Sequence, residues 1–229
     1  MSKIKVILWD IDGTLLNFEA IEMAAIRACF AVYGQGVCTE EMLKTYAGIN
    51  RVYWQRIEKG EISRAEALEG RFKDWLSHYG QDASVASDFN KKYQMCLGDM
   101  VCFYPNALET VKALKGQVLQ YAVTNGTKVA QERKLKNSGL AELLDGAFIS
   151  EDVGIDKPSA EYFERVFGEI GFYEKDEVMI VGDSLTSDIK GGNNAGIVTC
   201  WFNPEKKNDN SGLRIDHEIF DLSEVLKLI

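Results

Sequence analysis

Two aspartates, Asp10 and Asp12, stand two positions apart in the segment 10–14, Asp-Ile-Asp-Gly-Thr, directly after a short apolar run. Neighbouring carboxylates repel each other, so such a pair favours a bound divalent cation that keeps both ionised. Oxygen ligands without a nearby histidine or cysteine favour Mg²⁺ over zinc. A carboxylate can also attack a phosphoryl group and form an acyl phosphate. The alternative is an ordinary exit from a strand, because Asp-Gly is a common turn dipeptide.

A hydroxyl, an amide and a lysine follow further along the chain. Thr124 and Asn125 stand between an apolar run and a helical pattern, where they and the first helical amides could hold an anion. A routine helix N-cap uses the same residue types. Lys157 precedes Pro158, which favours an extended segment, and its ammonium could neutralise phosphoryl oxygens. Taken alone, a solvated loop lysine is the simpler interpretation.

Two more aspartates lie in the segment 182–188, Gly-Asp-Ser-Leu-Thr-Ser-Asp. Asp183 follows an apolar run as Asp10 does, so it could complete a metal site. Asp188 lies one turn into the next helical pattern and could support a metal-bound water. A simple helix start accounts for the same segment, and it is the joint order of the segments along the chain that makes them informative.

Two kinds of sequence pattern, one typical of strands and one of helices, alternate around these residues. Short runs rich in Val and Ile predict buried strands at 4–9, 118–123, 147–150, 178–181 and 197–202. Helical patterns fall at 107–114, 128–137, 159–170 and 185–194. This alternation predicts an α/β fold, a Rossmann-like parallel sheet flanked by helices, with ligands just past the carboxyl ends of the strands.

A helical insertion interrupts the alternation after the first strand. Apolar residues recur at helical spacing across 65–79, and Ser63 with Glu66 fits a capping box. We therefore predict a discontinuous core, with bounds of 1–15 and 104–229, and an inserted all-helical domain at 16–103.

Composition limits the classes of partner. The formal net charge is −9 and no basic run occurs, which argues against nucleic-acid polymers because they bind clustered positive charge. No segment reaches the roughly 20 apolar residues of a membrane span, and the first residues lack the pattern of a signal peptide, so we expect a cytoplasmic protein without a membrane partner. The five scattered cysteines indicate reduced thiols, and the two histidines indicate no catalytic or metal-binding role.

In its four segments the sequence resembles the haloacid dehalogenase superfamily, whose motifs match 10–14, 124–125, Lys157 and 183–188. The inserted helices at 16–103 resemble the cap domain of that superfamily. The resemblance implies that Asp10 is the nucleophile and that Asp12 is the general acid and then the general base. It also implies a Mg²⁺ ion held by the carboxylates of Asp10 and Asp183 and by the backbone carbonyl of Asp12.

The same resemblance assigns supporting roles. Thr124, Asn125 and Lys157 are expected to bind the transferring phosphoryl group. Asp188 is expected to support the metal site without binding the ion directly. Dehalogenases lack an aspartate at the position of Asp12, because cleavage of a carbon–halogen bond needs no acid for the leaving group. Phosphate esters are therefore the expected substrates.

A narrower resemblance is to the house-cleaning pyrimidine 5′-nucleotidases. It is carried by Phe18, by the segment 49–54 and by the stretch 182–204. It implies a nucleoside monophosphate as substrate, with Phe18, Asn50, Trp54 and Arg71 near the base and sugar. For Trp54, packing inside the cap is the stronger alternative.

Other functions stay open from the sequence alone. A phosphatase of a small sugar phosphate or of phosphoglycolate, or a phosphomutase, would use the same core residues. A phosphoacceptor signalling module is disfavoured by the helical insertion, and an inactive protein that binds a phosphate ligand is disfavoured by the intact set of charged residues. We expect a monomer or a weak homodimer.

Overall fold

The computed structural model describes residues 4–171 and 174–229. The chain forms two compact units, one made of Met1–Phe18 and Val101–Ile229 and the other of Glu19–Met100. The α-helices of the described residues, in chain order, are α1 (Phe18–Tyr33), α2 (Glu40–Glu58), α3 (Arg64–His78), α4 (Ala86–Asp99), α5 (Ala107–Leu114), α6 (Lys128–Asn137), α7 (Leu140–Leu143), α8 (Ser150–Val153), α9 (Ala160–Ile170) and α10 (Lys190–Ala195).

A parallel sheet forms the centre of the first unit. Its strands are β1 (Val6–Trp9), β2 (Leu119–Thr124), β3 (Gly146–Ile149), β4 (Val178–Gly182), β5 (Val198–Phe202) and β6 (His217–Ile219). They lie in the order β3-β2-β1-β4-β5-β6, and each neighbouring pair is parallel. The predicted α/β class and the parallel sheet are thereby confirmed, while β6 was not predicted.

The central strands are buried on both faces. All four residues of β1 are fully buried, which explains why this strand is a continuous apolar run rather than an alternating one. On one face of the sheet, Tyr162, Phe163 and Val166 of α9 belong to a core cluster with residues of β1, β2 and β4. This packing makes the sheet a rigid base for the residues that follow its strands.

The second unit is helical, and capping residues define where its helices begin. Thr39 accepts a hydrogen bond from the amide of Met42 at the start of α2, and Ser63 forms the predicted capping box with Glu66 at the start of α3. Its interior is aromatic, with short distances between ring centroids such as 4.8 Å between Phe72 and Phe89. Within the described residues, none of the helices combines the length and the apolar character that a bilayer crossing requires.

Candidate active site

The segments singled out in the sequence meet at the carboxyl ends of three adjacent strands. Asp10 directly follows β1, Thr124 ends β2 and Asp183 directly follows β4. β1 lies between β2 and β4 in the sheet, and the backbone amide of Asp10 donates to the carbonyl of Val181 at 2.9 Å. The strand order thus converts positions that are far apart in sequence into one site.

The Asp10 carboxylate is nearly buried and held at both oxygens. Its Oδ1 accepts a hydrogen bond from the ammonium of Lys157 at 2.8 Å, and its Oδ2 accepts one from the hydroxyl of Thr14 at 3.1 Å. The Thr14 hydroxyl in turn accepts a hydrogen bond from the backbone amide of Asp183 at 3.0 Å. The hydroxyl of Thr14 therefore links Asp10 to Asp183, the two aspartates whose carboxylates are expected to bind a metal ion.

Lys157 is buried, and its three ammonium protons each have an acceptor. These are Oδ1 of Asp10 at 2.8 Å, Oδ1 of Asp188 at 2.7 Å and the carbonyl of Val123 at 2.7 Å. Burial by itself would lower the pKa of Lys157, but the carboxylates of Asp10 and Asp188 more than offset this, and the pKa is raised. The side chain is a charged lysine in a fixed position and not a solvated loop lysine.

The carboxylates of Asp10, Asp183 and Asp188 form an acidic cluster, in which one oxygen from each lies within 4.8 Å of the others. Burial and then the charge of Asp188 raise the pKa of Asp183 to about 7. The ammonium of Lys157 binds two of these three carboxylates, so a divalent cation would relieve the remaining negative charge. An all-oxygen donor set with no sulfur or imidazole suits Mg²⁺.

Hydrogen bonds to Asp188 and the backbone at Gly13 limit how the cluster could bind a cation. Asp188 is already committed, because its Oδ1 binds Lys157 and its Oδ2 accepts from the amide of Ser184 at 3.1 Å. Gly13 has a φ of +99°, and a Cβ at this position would lie 2.6 Å from Oδ1 of Asp183. The Asp183 carboxylate accepts a longer contact, 3.4 Å from the hydroxyl of Thr14, so it is less committed than Asp188, and glycine is required beside it.

Asp12 lies outside the acidic cluster and is held by a helix. Its Oδ2 accepts a hydrogen bond from Nε2 of Gln131 at 2.6 Å, and its Oδ1 accepts one from Nζ of Lys134 at 2.5 Å. Gln131 and Lys134 were not among the predicted site residues. They are three positions apart in α6 and so lie on one helical face, but a glutamine and a lysine at that spacing are equally typical of a solvent-facing helix.

Thr124 and Asn125 have different surroundings from those expected of simple phosphate ligands. The side chain of Thr124 is buried, and its Oγ1 accepts from the amide of Gly126 at 3.3 Å. Asn125 uses both ends of its side-chain amide on Lys157: Nδ2 donates to the Lys157 carbonyl and Oδ1 accepts from the Lys157 amide, each at 2.8 Å. Asn125 thus holds the backbone that carries the lysine. Binding of the phosphoryl group by these two residues stays a prediction.

The residues expected near a base and sugar are divided between the two units. Phe18 begins α1 within the first unit, and Nζ of Lys134 lies 5.1 Å from its ring centroid, so Phe18 is a neighbour of the Asp12 site. Trp54 lies in α2 of the second unit and is half-buried. Contact of either side chain with a substrate stays a prediction.

Asn50 and Arg71 belong to a buried polar network inside the second unit. Nη1 of Arg71 donates to Oδ1 of Asn50 at 2.6 Å, and Nδ2 of Asn50 donates to Oε1 of Glu22 at 2.7 Å. The guanidinium also lies 5.2 Å from the ring centroid of Tyr93. These partners account for the burial of a charged residue, and a direct contact of Asn50 or Arg71 with substrate stays a prediction.

With this geometry established, comparison with known proteins decides the family. A model of the haloacid dehalogenase-like hydrolases matches residues 4–196. The chain belongs to this family. The resemblance drawn from its four segments is thereby confirmed, and the cluster of Asp10, Asp183 and Asp188 is the acidic cluster of a haloacid dehalogenase-like hydrolase.

Individual relatives span almost the whole chain. The sequence is 36% identical to the HAD-hydrolase YfnB of Bacillus subtilis over 230 residues, covering 100% of this chain and 97% of that protein. It is 33% identical to the pyrimidine 5′-nucleotidase PynA of Streptococcus pneumoniae over 224 residues, covering 97% and 93%. It is 26% identical to a glyceraldehyde 3-phosphate phosphatase of Methanocaldococcus jannaschii over 231 residues, covering 99% and 97%.

A solved structure agrees with these sequence matches. The crystal structure of YfnB bound to magnesium superposes with a TM-score of 0.92 at 35% identity, covering 98% of each chain. The fold of this haloacid dehalogenase-like hydrolase is therefore shared with a relative that carries magnesium.

Proposed function

We propose that this protein is a Mg²⁺-dependent phosphatase that forms an aspartyl phosphate on Asp10 and prefers pyrimidine nucleoside monophosphates. The observation that carries the proposal is the pairing of a nearly buried Asp10, fixed by Lys157 at 2.8 Å, with a second carboxyl group two residues further on. A nucleophile and a separate proton carrier are the two groups that ester hydrolysis through a covalent intermediate needs.

The first half-reaction transfers the phosphoryl group to the protein. An oxygen of the Asp10 carboxylate attacks phosphorus, the bond between phosphorus and the ester oxygen breaks, and Asp12 gives its proton to the leaving alkoxide. The ammonium of Lys157 keeps the Asp10 carboxylate oriented and opposes the charge of the incoming phosphoryl oxygens. Mg²⁺ bound by Asp10 and Asp183 would supply further neutralisation of that charge.

The second half-reaction regenerates the protein. Asp12, now ionised, takes a proton from water, the water oxygen attacks phosphorus, and the bond between phosphorus and Asp10 breaks to release phosphate. Asp12 ends protonated, as it began. The presence of an aspartate at this position favours ester hydrolysis over cleavage of a carbon–halogen bond, since a halide leaves without a proton.

The choice of substrate rests on similarity along the whole chain. A 33% identity to PynA extends over 97% of this chain and includes the second unit, which we propose to act as the cap. The 26% identity to a glyceraldehyde 3-phosphate phosphatase supports a second candidate, the hydrolysis of a small sugar phosphate, with the same core residues in the same roles.

Phosphate release with Mg²⁺ from a panel of nucleoside monophosphates, sugar phosphates and phosphoglycolate tests the proposal. We expect UMP, dUMP or dTMP to exceed the other esters in kcat/KM by at least about tenfold, which corresponds to about 1.4 kcal/mol of transition-state stabilisation. Asp10→Asn is the inactive control. A preference for a sugar phosphate would overturn the substrate assignment, and no release from any ester would overturn the phosphatase assignment in favour of a phosphate-binding protein.

A further inference from the structure

Gln131 and Lys134 both donate hydrogen bonds to the carboxylate of Asp12. Each donates to a different oxygen of its carboxylate, Nε2 of Gln131 to Oδ2 at 2.6 Å and Nζ of Lys134 to Oδ1 at 2.5 Å. Two donors on two oxygens fix both the position and the plane of a carboxylate, whereas a single donor would leave it free to rotate. The contacts join Asp12, after β1, to a helix that begins more than a hundred residues later.

Gln131 and Lys134 are both buried, which is unfavourable for polar side chains unless they are paired. Lys134 is 0% and Gln131 1% exposed, although both are polar and α6 offers exposed positions on its other side. A buried ammonium costs several kcal/mol unless it is paired. The Asp12 side chain by contrast is 21% exposed. The donors thus approach Asp12 from the protein interior and leave its outer side open.

Gly126 supplies independent support for this arrangement. A Cβ at Gly126 would lie 2.1 Å from Nε2 of Gln131, so only glycine leaves space for that amide. Oε1 of Gln131 is buried and has no hydrogen-bond partner among the described residues. The reversed amide would place this oxygen against Oδ2 of Asp12, so the donor orientation is the one that the carboxylate dictates. An unsatisfied buried oxygen is a cost that the contact with Asp12 offsets.

We infer that Gln131 and Lys134 are positioning residues that aim the carboxyl group of Asp12 at the ester oxygen of the substrate. The inference rests on the proposed role of Asp12 in proton transfer. A carboxylate has about four acceptor sites, so two donors leave sites for the transferred proton and for the leaving oxygen on the open side. Displacement of a proton donor by about 1 Å can cost about 100-fold in rate, which makes such support valuable.

The leaving group provides a readout that loss of structure alone would not change. An alkoxide must be protonated as it leaves, whereas p-nitrophenolate leaves without a proton. The parameter kcat/KM reports the steps up to departure of the leaving group, so it isolates the acid role of Asp12 from its later base role. The experiment compares kcat/KM for the best alkyl phosphate of the panel with kcat/KM for p-nitrophenyl phosphate.

In Lys134→Met and Gln131→Met we expect kcat/KM to fall by about 100-fold for the alkyl phosphate and by less than about threefold for p-nitrophenyl phosphate. The exposed Lys136 lies in the same helix, and Lys136→Met should match the unmodified protein with both substrates. Equal losses with both substrates, or no loss with either, would overturn the inference. If Lys134→Met does not fold, as judged by circular dichroism, Gln131→Met carries the same test.

Asp12→Asn separates this inference from the proposed function. If Asp12→Asn discriminates between the two leaving groups and the Gln131 and Lys134 variants do not, the positioning role is wrong and the role of Asp12 stands. If Asp12→Asn itself fails to discriminate, the role of Asp12 and the inference built on it are both wrong.

Discussion

The ammonium of Lys157 lies 2.8 Å from Oδ1 of Asp10 and also 2.7 Å from Oδ1 of Asp188, so one lysine holds the proposed nucleophile and a second carboxylate together. All three groups have side chains that are less than a tenth exposed. An ion pair of this kind is not required for folding, since apolar residues often replace buried pairs at no cost. Its presence beside the carboxyl end of β1 instead fits the chemistry that we propose for Asp10.

Replacement of Lys157 by methionine should impair both activity and stability. Asp10 and Asp188 would lose their common cation while staying buried, and removal of one partner of a buried pair destabilises by about 3–5 kcal/mol. We expect kcat/KM to fall by more than about 100-fold, because an oriented charge next to the nucleophile is lost. Phosphate release and the urea midpoint measure the two effects.

The matched control for this variant is Lys128→Met. Lys128 is paired with Asp152 in the same unit, but its side chain is 48% exposed, so its loss should change stability by less than about 1 kcal/mol. If Lys157→Met retained the activity of the unmodified protein, Lys157 would have no role in orienting Asp10.

Removal of the metal gives a test that does not depend on turnover. Mg²⁺ that binds only the folded protein at 100 times its Kd stabilises it by about 2.7 kcal/mol, so the Tm should rise with added Mg²⁺ and fall again with EDTA. Asp183→Asn should abolish the rise, because it removes one of the two carboxylates that we propose to hold the ion. Differential scanning fluorimetry measures the shift.

Asp209→Asn serves as the control for Asp183→Asn, since Asp209 lies in an exposed loop where it accepts from the amide of Ser211. This variant should keep the full Mg²⁺-dependent shift. An undiminished shift in Asp183→Asn would remove Asp183 from the set of metal ligands.

The unbroken apolar sequences of the central strands explain why much of the parallel sheet was predictable. β1 and β4 are buried on both faces, so their sequences are unbroken apolar runs, and the aspartates that follow them are forced to the same edge of the sheet. β6 escaped prediction for the opposite reason. It has three residues, lies at the edge of the sheet and contains His217 and Glu218, so only its pairing with β5 makes it a strand.

The support of Asp12 could not be predicted from local pattern. The helical spacing of 128–137 predicts α6, but a lysine and a glutamine in a helix ordinarily indicate its solvent face. They become interior residues because Asp12, from another part of the chain, supplies the acceptors. Asn125 follows the same logic: its amide is satisfied by Lys157, which is 32 positions away. Polar contacts between distant segments leave no periodic trace.

Gly13→Ala should separate backbone strain from steric interference at the metal site. The new Cβ would lie 2.6 Å from Oδ1 of Asp183. The alanine would also have to adopt the φ of +99° that Gly13 has. We expect the variant to lose phosphate release and the Mg²⁺-dependent rise in Tm. Gly212→Ala shares a positive φ, +68°, but its Cβ meets nothing within 4 Å, so it should lose only about 1–2 kcal/mol of stability. Similar Mg²⁺ responses in both variants would contradict the steric argument.

The network of Glu22, Asn50 and Arg71 makes a prediction about the second unit. Asn50 bridges the other two residues, with 2.6 Å from Nη1 of Arg71 to its Oδ1 and 2.7 Å from its Nδ2 to Oε1 of Glu22. Arg71→Met leaves Glu22 buried with its charge unbalanced, so we expect a loss of about 3–5 kcal/mol, which Glu22→Met in the same chain should largely restore because an apolar pair needs no counter-charge. Urea unfolding measures both effects, and the ranking of esters by kcat/KM should be the same in the double variant as in the unmodified protein. A changed ranking in a double variant of restored stability would support the role near the substrate that the resemblance implies for Arg71, and would show that the network is more than internal support.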